Sequence, residues 1–146
     1  MNKSDVLKLF GSFFIFLSIM CSLPPHHYDQ VVMGEANLGQ AMHVEHIDPA
    51  GGDTPENLCL ACSNCNLSKA RVTTAVDPDT GQRVPLFNPR MHVWAEHFTW
   101  MDQGRRLHGL TAIGRATINR LKMNQERVLI ARRRWITGGF HPPDFG

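Results

Sequence analysis

Hydrophobic and polar positions change rhythm several times along this chain of 146 residues. The first change is the sharpest. Lys3 and Lys8 precede an apolar run over residues 9–21 that only Gly11, Ser12 and Ser18 interrupt. A positively charged start followed by such a run has the layout of a secretory signal. No small-residue cleavage site follows, because the run closes on Met20-Cys21-Ser22 and then Pro24-Pro25. It is also shorter than the ~18–20 apolar residues that span a bilayer. Residues 1–23 are therefore expected to be a buried or appended start of a cytoplasmic protein. Export, or membrane anchoring through residues 9–21, is the alternative.

Downstream, residues 24–40 mix both kinds of residue with Gly34 and Gly39 as breakers, which predicts irregular structure. Residues 41–47 carry Val44 and Ile47 in partial alternation and predict a short strand. Pro, Gly and Asp crowd residues 48–57 and predict a loop; residues 58–62 predict a second strand. A short helix over residues 63–70 follows, with Ser63 as its N-cap. Asp77-Pro78-Asp79-Thr80-Gly81 reads as a turn between two Val-containing segments, and Asn88-Pro89 as another. From Trp94 to Trp100 large apolar residues alternate with polar ones, and a turn at Gly104 leads into residues 105–110. This predicts a β-hairpin within 93–110, with Trp94, Phe98 and Trp100 in its core. Thr111 caps a helix over residues 112–121, and Asn124 caps a second over residues 125–137, ended by Gly138-Gly139. Val128, Ile130, Ala131, Trp135 and Ile136 give that last helix its buried stripe. The fold class is α+β, with one domain over residues 24–146.

Composition sharpens this picture only in part. Hydrophobic residues make up 42% and charged residues 19%, which excludes disordered, collagen-like and coiled-coil classes. The formal charge of +2 hides an uneven distribution. Residues 101–146 hold nine Lys/Arg against three Asp/Glu, and residues 1–100 hold six against ten. The basic part can meet a phosphate backbone and the acidic part can hold a cation. Four cysteines are too few for a disulfide scaffold, and the closeness of Cys59, Cys62 and Cys65 points to metal chemistry.

Chemistry concentrates between His43 and Lys69. Hydrolysis of a phosphodiester needs a base to activate water, a cation on the phosphate and fixed geometry between them. His46 suits the base, since an unperturbed imidazole titrates at about 6.5. Glu45 and Asn66 offer oxygen ligands of the kind that Mg²⁺ or Mn²⁺ takes. Adjacent strand residues point to opposite faces. Glu45 and His46 can therefore serve one site only where the strand ends or twists, and Asp48-Pro49 supplies that ending. Each residue alone has a plainer role: a packed or surface histidine, an Asn57 in a turn, a solvated Asn66. Their joint spacing, with Gly51-Gly52 and the cysteines, argues for a site.

Glu45-His46-Ile47, Pro49, Gly51-Gly52, Asn57-Leu58 and Cys62-x-x-Cys65-Asn66-x-x-Lys69 resemble the signature of the HNH endonucleases in its H-N-N variant. Downstream pieces resemble one bacterial subgroup of that family: Val84-Pro85-Leu86-Phe87-Asn88-Pro89, Trp94-x-Glu96-His97-Phe98, Gly109-Leu110-Thr111-x-x-Gly114-Arg115 and Arg132-Arg133-Arg134-Trp135. The resemblance covers about residues 30–143. It implies a ββα-metal finger (core motif 41–70) followed by the hairpin and by basic helices over 111–137. It also implies a metal-dependent endonuclease acting on DNA, with no small-molecule cofactor. By resemblance His46 is the general base, and Glu45 and Asn66 hold one divalent cation, Mg²⁺ or Mn²⁺. Asn57 braces the loop and helps orient the base, while Lys69 and the neighbouring Arg71 meet phosphate.

Many members of the family also carry a structural Zn²⁺ on two C-x-x-C pairs. Cys62 and Cys65 match the second pair; upstream only Cys21 is present, with Ser18 where its partner would stand. Three thiolates leave a tetrahedral zinc one ligand short, and His26 or His27 could supply it. An iron–sulfur reading fails because Lys69 occupies the place of the fourth cysteine. Cys59 is expected to be a buried strand residue, and a bridge within Cys62-x-x-Cys65 is expected only in an exported chain. Beside a nuclease motif, Arg132, Arg133 and Arg134 read as nonspecific phosphate contacts. Two rival readings stay open: a ββα finger that binds nucleic acid without cutting it, and an exported metal-binding protein.

Overall fold

The computed structural model describes residues 42–138. The expectations placed on the N-terminal apolar segment, on Cys21, on His26 and His27, and on residues 139–146 lie outside the described residues. Within them the chain is a mixed α+β structure with three two-stranded antiparallel sheets, each a hairpin of consecutive strands. Among the described residues no helix is long and apolar enough to cross a membrane.

Strand β1 (Met42–His46) pairs with β2 (Leu58–Cys62), setting Met42 opposite Cys62 and His46 opposite Leu58. Helix α1 (Ser63–Lys69) follows β2 without a linker and packs on both strands. Its N-cap is Cys62, not the expected Ser63: the Cys62 sulfur accepts from the Cys65 amide at 3.5 Å. The Ser63 hydroxyl is instead 2.9 Å from His43 Nε2 on β1. Continuous strand-to-helix passage puts the extended residue one position earlier than the hydroxyl suggested.

Strands β3 (Thr74–Val76) and β4 (Arg83–Pro85) form the second hairpin around the expected turn. There Asp77 accepts from the Thr80 hydroxyl at 2.8 Å, and Gly81 takes a φ of +73° that favours glycine. The alternating stretch 94–100 divides in two. Its first half is a helical turn, α2 (Trp94–His97), and only its second half is strand β5 (Phe98–Met101), paired with β6 (Arg106–Gly109). A helical turn places residues four apart on one side, so Trp94 meets Phe98 with ring centroids 5.8 Å apart.

Helix α3 (Ala112–Arg120) has the expected cap, Thr111, whose hydroxyl accepts from the Gly114 amide at 3.1 Å. A Cβ on Gly114 would collide with the His97 carbonyl oxygen, so glycine here lets the start of the helix lie on the hairpin backbone. In helix α4 (Glu126–Thr137) the expected cap is corrected. Gln125 is the N-cap, and the Asn124 amide clamps the backbone of Leu107, accepting from its N–H at 3.0 Å and donating to its carbonyl at 2.8 Å. The stripe on α4 is also corrected: Val128, Leu129, Ala131, Arg132 and Trp135 are buried, and Ile130 is exposed. The 3.6-residue period carries 128, 131–132 and 135 to one side, whatever the chemistry at 132. One apolar cluster joins Ala61, Cys62 and Cys65 to Phe87, Phe98, Leu107, Leu121 and Met123, seating the first hairpin and α1 on the rest of the fold.

Candidate active site

The site is built where β1 stops. His46 is its last residue, with a side chain 41% exposed, and His46 Nε2 lies 2.7 Å from Asp53 Oδ1. Asp53 stands on the loop between β1 and β2, almost fully exposed. Glu45, one residue earlier, turns the other way as strand geometry requires. Its Oε1 accepts from Lys69 Nζ at 3.2 Å, and both side chains are largely buried. Lys69 lies one turn beyond Asn66 on the same face of α1. Glu45 is thereby tied to the last turn of α1, three residues beyond Asn66. The Asn66 side chain is half-buried, and it makes no hydrogen bond to another described residue.

Asn57 holds the loop closed. Its Oδ1 accepts from the Asp48 amide at 2.9 Å, and its Nδ2 donates to the Asp48 and Gly52 carbonyls, each at 2.8 Å. Its own carbonyl accepts from Ile47 N at 2.8 Å. One amide side chain thus saturates backbone groups on both sides of the turn. A Cβ on Gly51 would come within 2.7 Å of that amide, which accounts for the glycine.

Two residues at this end carried no clear sequence signal. Asp53 follows Gly51-Gly52 and reads as turn chemistry, and Arg90 follows a turn of its own. Folding brings Arg90 to the open end of the first hairpin. There its Nε and Nη2 donate to the Leu58 carbonyl at 3.2 and 2.8 Å, opposite His46 in the strand register.

Among the described residues no group of three or more His, Cys, Asp or Glu side chains converges as a metal site. The Glu45 carboxylate and the Asn66 amide are hard oxygen donors. That sparse set fits a Mg²⁺-like cation, which keeps several waters and completes its shell with phosphate oxygens. The ammonium of Lys69 already sits on one Glu45 oxygen.

Cys62 and Cys65, the expected second half of a zinc knuckle, are both buried in the core. Cys65 keeps its thiol, so the bridge within Cys62-x-x-Cys65 does not form. Burial pushes the Cys65 thiol up to about 12, and burial followed by the Glu45 charge pushes Cys59 to about 11. Cys59 is the buried residue of β2 that the pattern predicted.

Two basic residues are corrected as phosphate contacts. Lys69 is buried against Glu45. Arg132 is fully buried: its guanidinium donates to the Arg105 carbonyl and to Asn124 Oδ1, each at 3.1 Å, and lies 5.2 Å from the Trp100 ring centre. Burial lowers this guanidinium to about 10, so it stays charged at neutral pH. Arg71, Arg133 and Arg134 are exposed.

A half-exposed histidine ending a strand, a loop braced by one asparagine and a helix packed on the hairpin together form a strand–strand–helix unit open on its loop side. Residues 20–71 match the HNH endonuclease family model, in agreement with the resemblance read from the motif. No curated protein and no solved structure matches the chain.

Proposed function

We propose that this chain is a metal-dependent endonuclease that hydrolyses phosphodiester bonds in DNA, using a ββα-metal finger formed by β1, β2 and α1. The observation that carries the reading is the placement of His46. It ends a strand, it is open to solvent, and its ring is held at one nitrogen only by another described residue. The second nitrogen is then available to take a proton from water. Asn57 keeps the backbone on both sides of the loop in place, so that the base does not drift. Glu45 and Asn66 would hold the divalent cation, Mg²⁺ or Mn²⁺, whose contribution is to neutralise charge gathering on the scissile phosphate. Arg71, Arg133 and Arg134 would supply nonspecific backbone contacts.

Plasmid cleavage with Mg²⁺, Mn²⁺ or EDTA tests this directly. The His46→Ala chain is expected to lose ~10²–10⁴-fold in rate, with DNA affinity within a few-fold of wild type, because the base enters only the chemical step. Nicking by the variant at the wild-type rate removes the mechanism. The Lys69–Glu45 ion pair favours a second reading, a finger that binds DNA without cutting it. Binding by wild type, with no cleavage in any divalent metal, would select it.

A further inference from the structure

Asp53 has no part in the reading above, yet it makes the one side-chain hydrogen bond to His46 among the described residues. We propose that Asp53 is a positioning residue for His46: its carboxylate accepts a hydrogen bond from Nε2–H and leaves the Nδ1 lone pair to act as the base. The inference rests on the reading of His46 as that base.

The bond is 2.7 Å long, the short range of a charge-assisted contact. A carboxylate opposite one ring nitrogen selects the tautomer with the proton there, and it faces the positive charge that the ring gains on taking a second proton. When water attacks phosphorus, its O–H bond breaks and the proton passes to Nδ1. The new P–O bond forms as the bond to the leaving oxygen breaks, and Asp53 stays ionised throughout. The carboxylate is itself placed by the loop brace: Asn57 Nδ2 holds the carbonyl of Gly52, the residue before Asp53. Gly52 has a φ of +72°, which turns the chain back toward the end of β1. One amide therefore fixes the backbone on which the positioning carboxylate stands.

A pair this exposed contributes little to folding, so its removal should be felt in chemistry and not in stability. The experiment is plasmid nicking in Mn²⁺ by the full chain and by Asp53→Ala, Asp53→Glu, His46→Ala and the double variant His46→Ala/Asp53→Ala. Asp53→Ala should lower kcat by ~10–100-fold, the usual cost of losing a group that orients a functional histidine. KM, the Mn²⁺ requirement and the melting temperature should stay at wild-type values. Asp53→Glu should recover part of kcat, and the double variant should be no slower than His46→Ala. Wild-type kcat in Asp53→Ala overturns the inference while leaving the base reading intact. So does a loss that appears in KM or in the Mn²⁺ requirement, or one that adds to the His46→Ala loss. Unimpaired nicking by His46→Ala overturns the base reading instead, and the inference with it.

Discussion

The charged pair at the open end of the first hairpin and the charged groups behind the finger are treated in opposite ways. At the end of β1, His46 and Asp53 meet in the open, one half-exposed and the other almost wholly so. Behind the finger, Asp77 is fully buried and takes a two-pronged bond from Arg115, with Nε on Oδ1 at 2.9 Å and Nη2 on Oδ2 at 2.7 Å. That bond holds the Asp77 carboxyl well below the usual carboxylate range. Arg132 is likewise buried, with its hydrogen bonds going to the backbone of Arg105 and to Asn124. An exposed pair adds little to folding but leaves a ring accessible to a reactant; a buried pair fixes structure and is closed to one. The same kinds of residue thus stay open to water at one end and hold the scaffold at the other.

The largest test sets His46→Ala against Trp135→Ala. The first should lose cleavage by orders of magnitude with an unchanged melting temperature. The second removes a fully buried ring and should destabilise by ~3–5 kcal/mol, a large share of ordinary domain stability. Equal melting temperatures for the two variants would end the contrast. Next is acid. Because Arg115 depresses Asp77 in the folded chain, the pair contributes fully above the ordinary carboxylate pKa of about 4. Its contribution fades as pH falls from there toward the lowered folded value. Urea unfolding should show Asp77→Asn less stable than wild type at pH 7, with the gap narrowing toward pH 2. A constant gap would mean that the carboxylate's charge is not what matters.

Asn57→Ala should be intermediate, since it frees backbone groups in an exposed loop. A modest fall in melting temperature of a few degrees, about 1 kcal/mol for one lost hydrogen-bonding side chain, should accompany a larger fall in cleavage. The reverse proportion would make Asn57 a folding residue only. The smallest effect belongs to the surface cations. Arg133→Ala or Arg134→Ala should weaken DNA binding uniformly and reduce the salt slope by about one each, with unchanged melting temperature. Arg132→Ala should instead destabilise the fold, a difference that thermal melts of the three variants would show.

Local signals carried most of the elements. Alternation and turn residues placed β1, β2 and the Asp77–Gly81 turn, and Thr111 capped α3 as its hydroxyl suggests. Misreadings arose where local chemistry had a distant competitor. Asn124 is a good cap by type, but Leu107 offers its amide two backbone bonds. The alternation at 94–100 satisfies a strand locally, but packing of Trp94 on Phe98 favours a helical turn first.

Residue types and spacing along the chain pointed to Glu45, His46, Asn57 and Asn66 as candidates, and the first hairpin with its short helix carries all four. They also asked β1, expected over residues 41–47, to end or twist before Asp48-Pro49, and it ends at His46. Which charges stay on the surface was decided only on folding. Arg132 and Arg133 are adjacent and chemically identical, yet helical phase buries one on the Trp135 side and leaves the other in water. Lys69 is drawn inward by Glu45 across 24 residues, and Asp53 is delivered to His46 by a loop that Asn57 closes. Periodicity is written into the chain one residue at a time, whereas solvent exposure depends on what packs against each face.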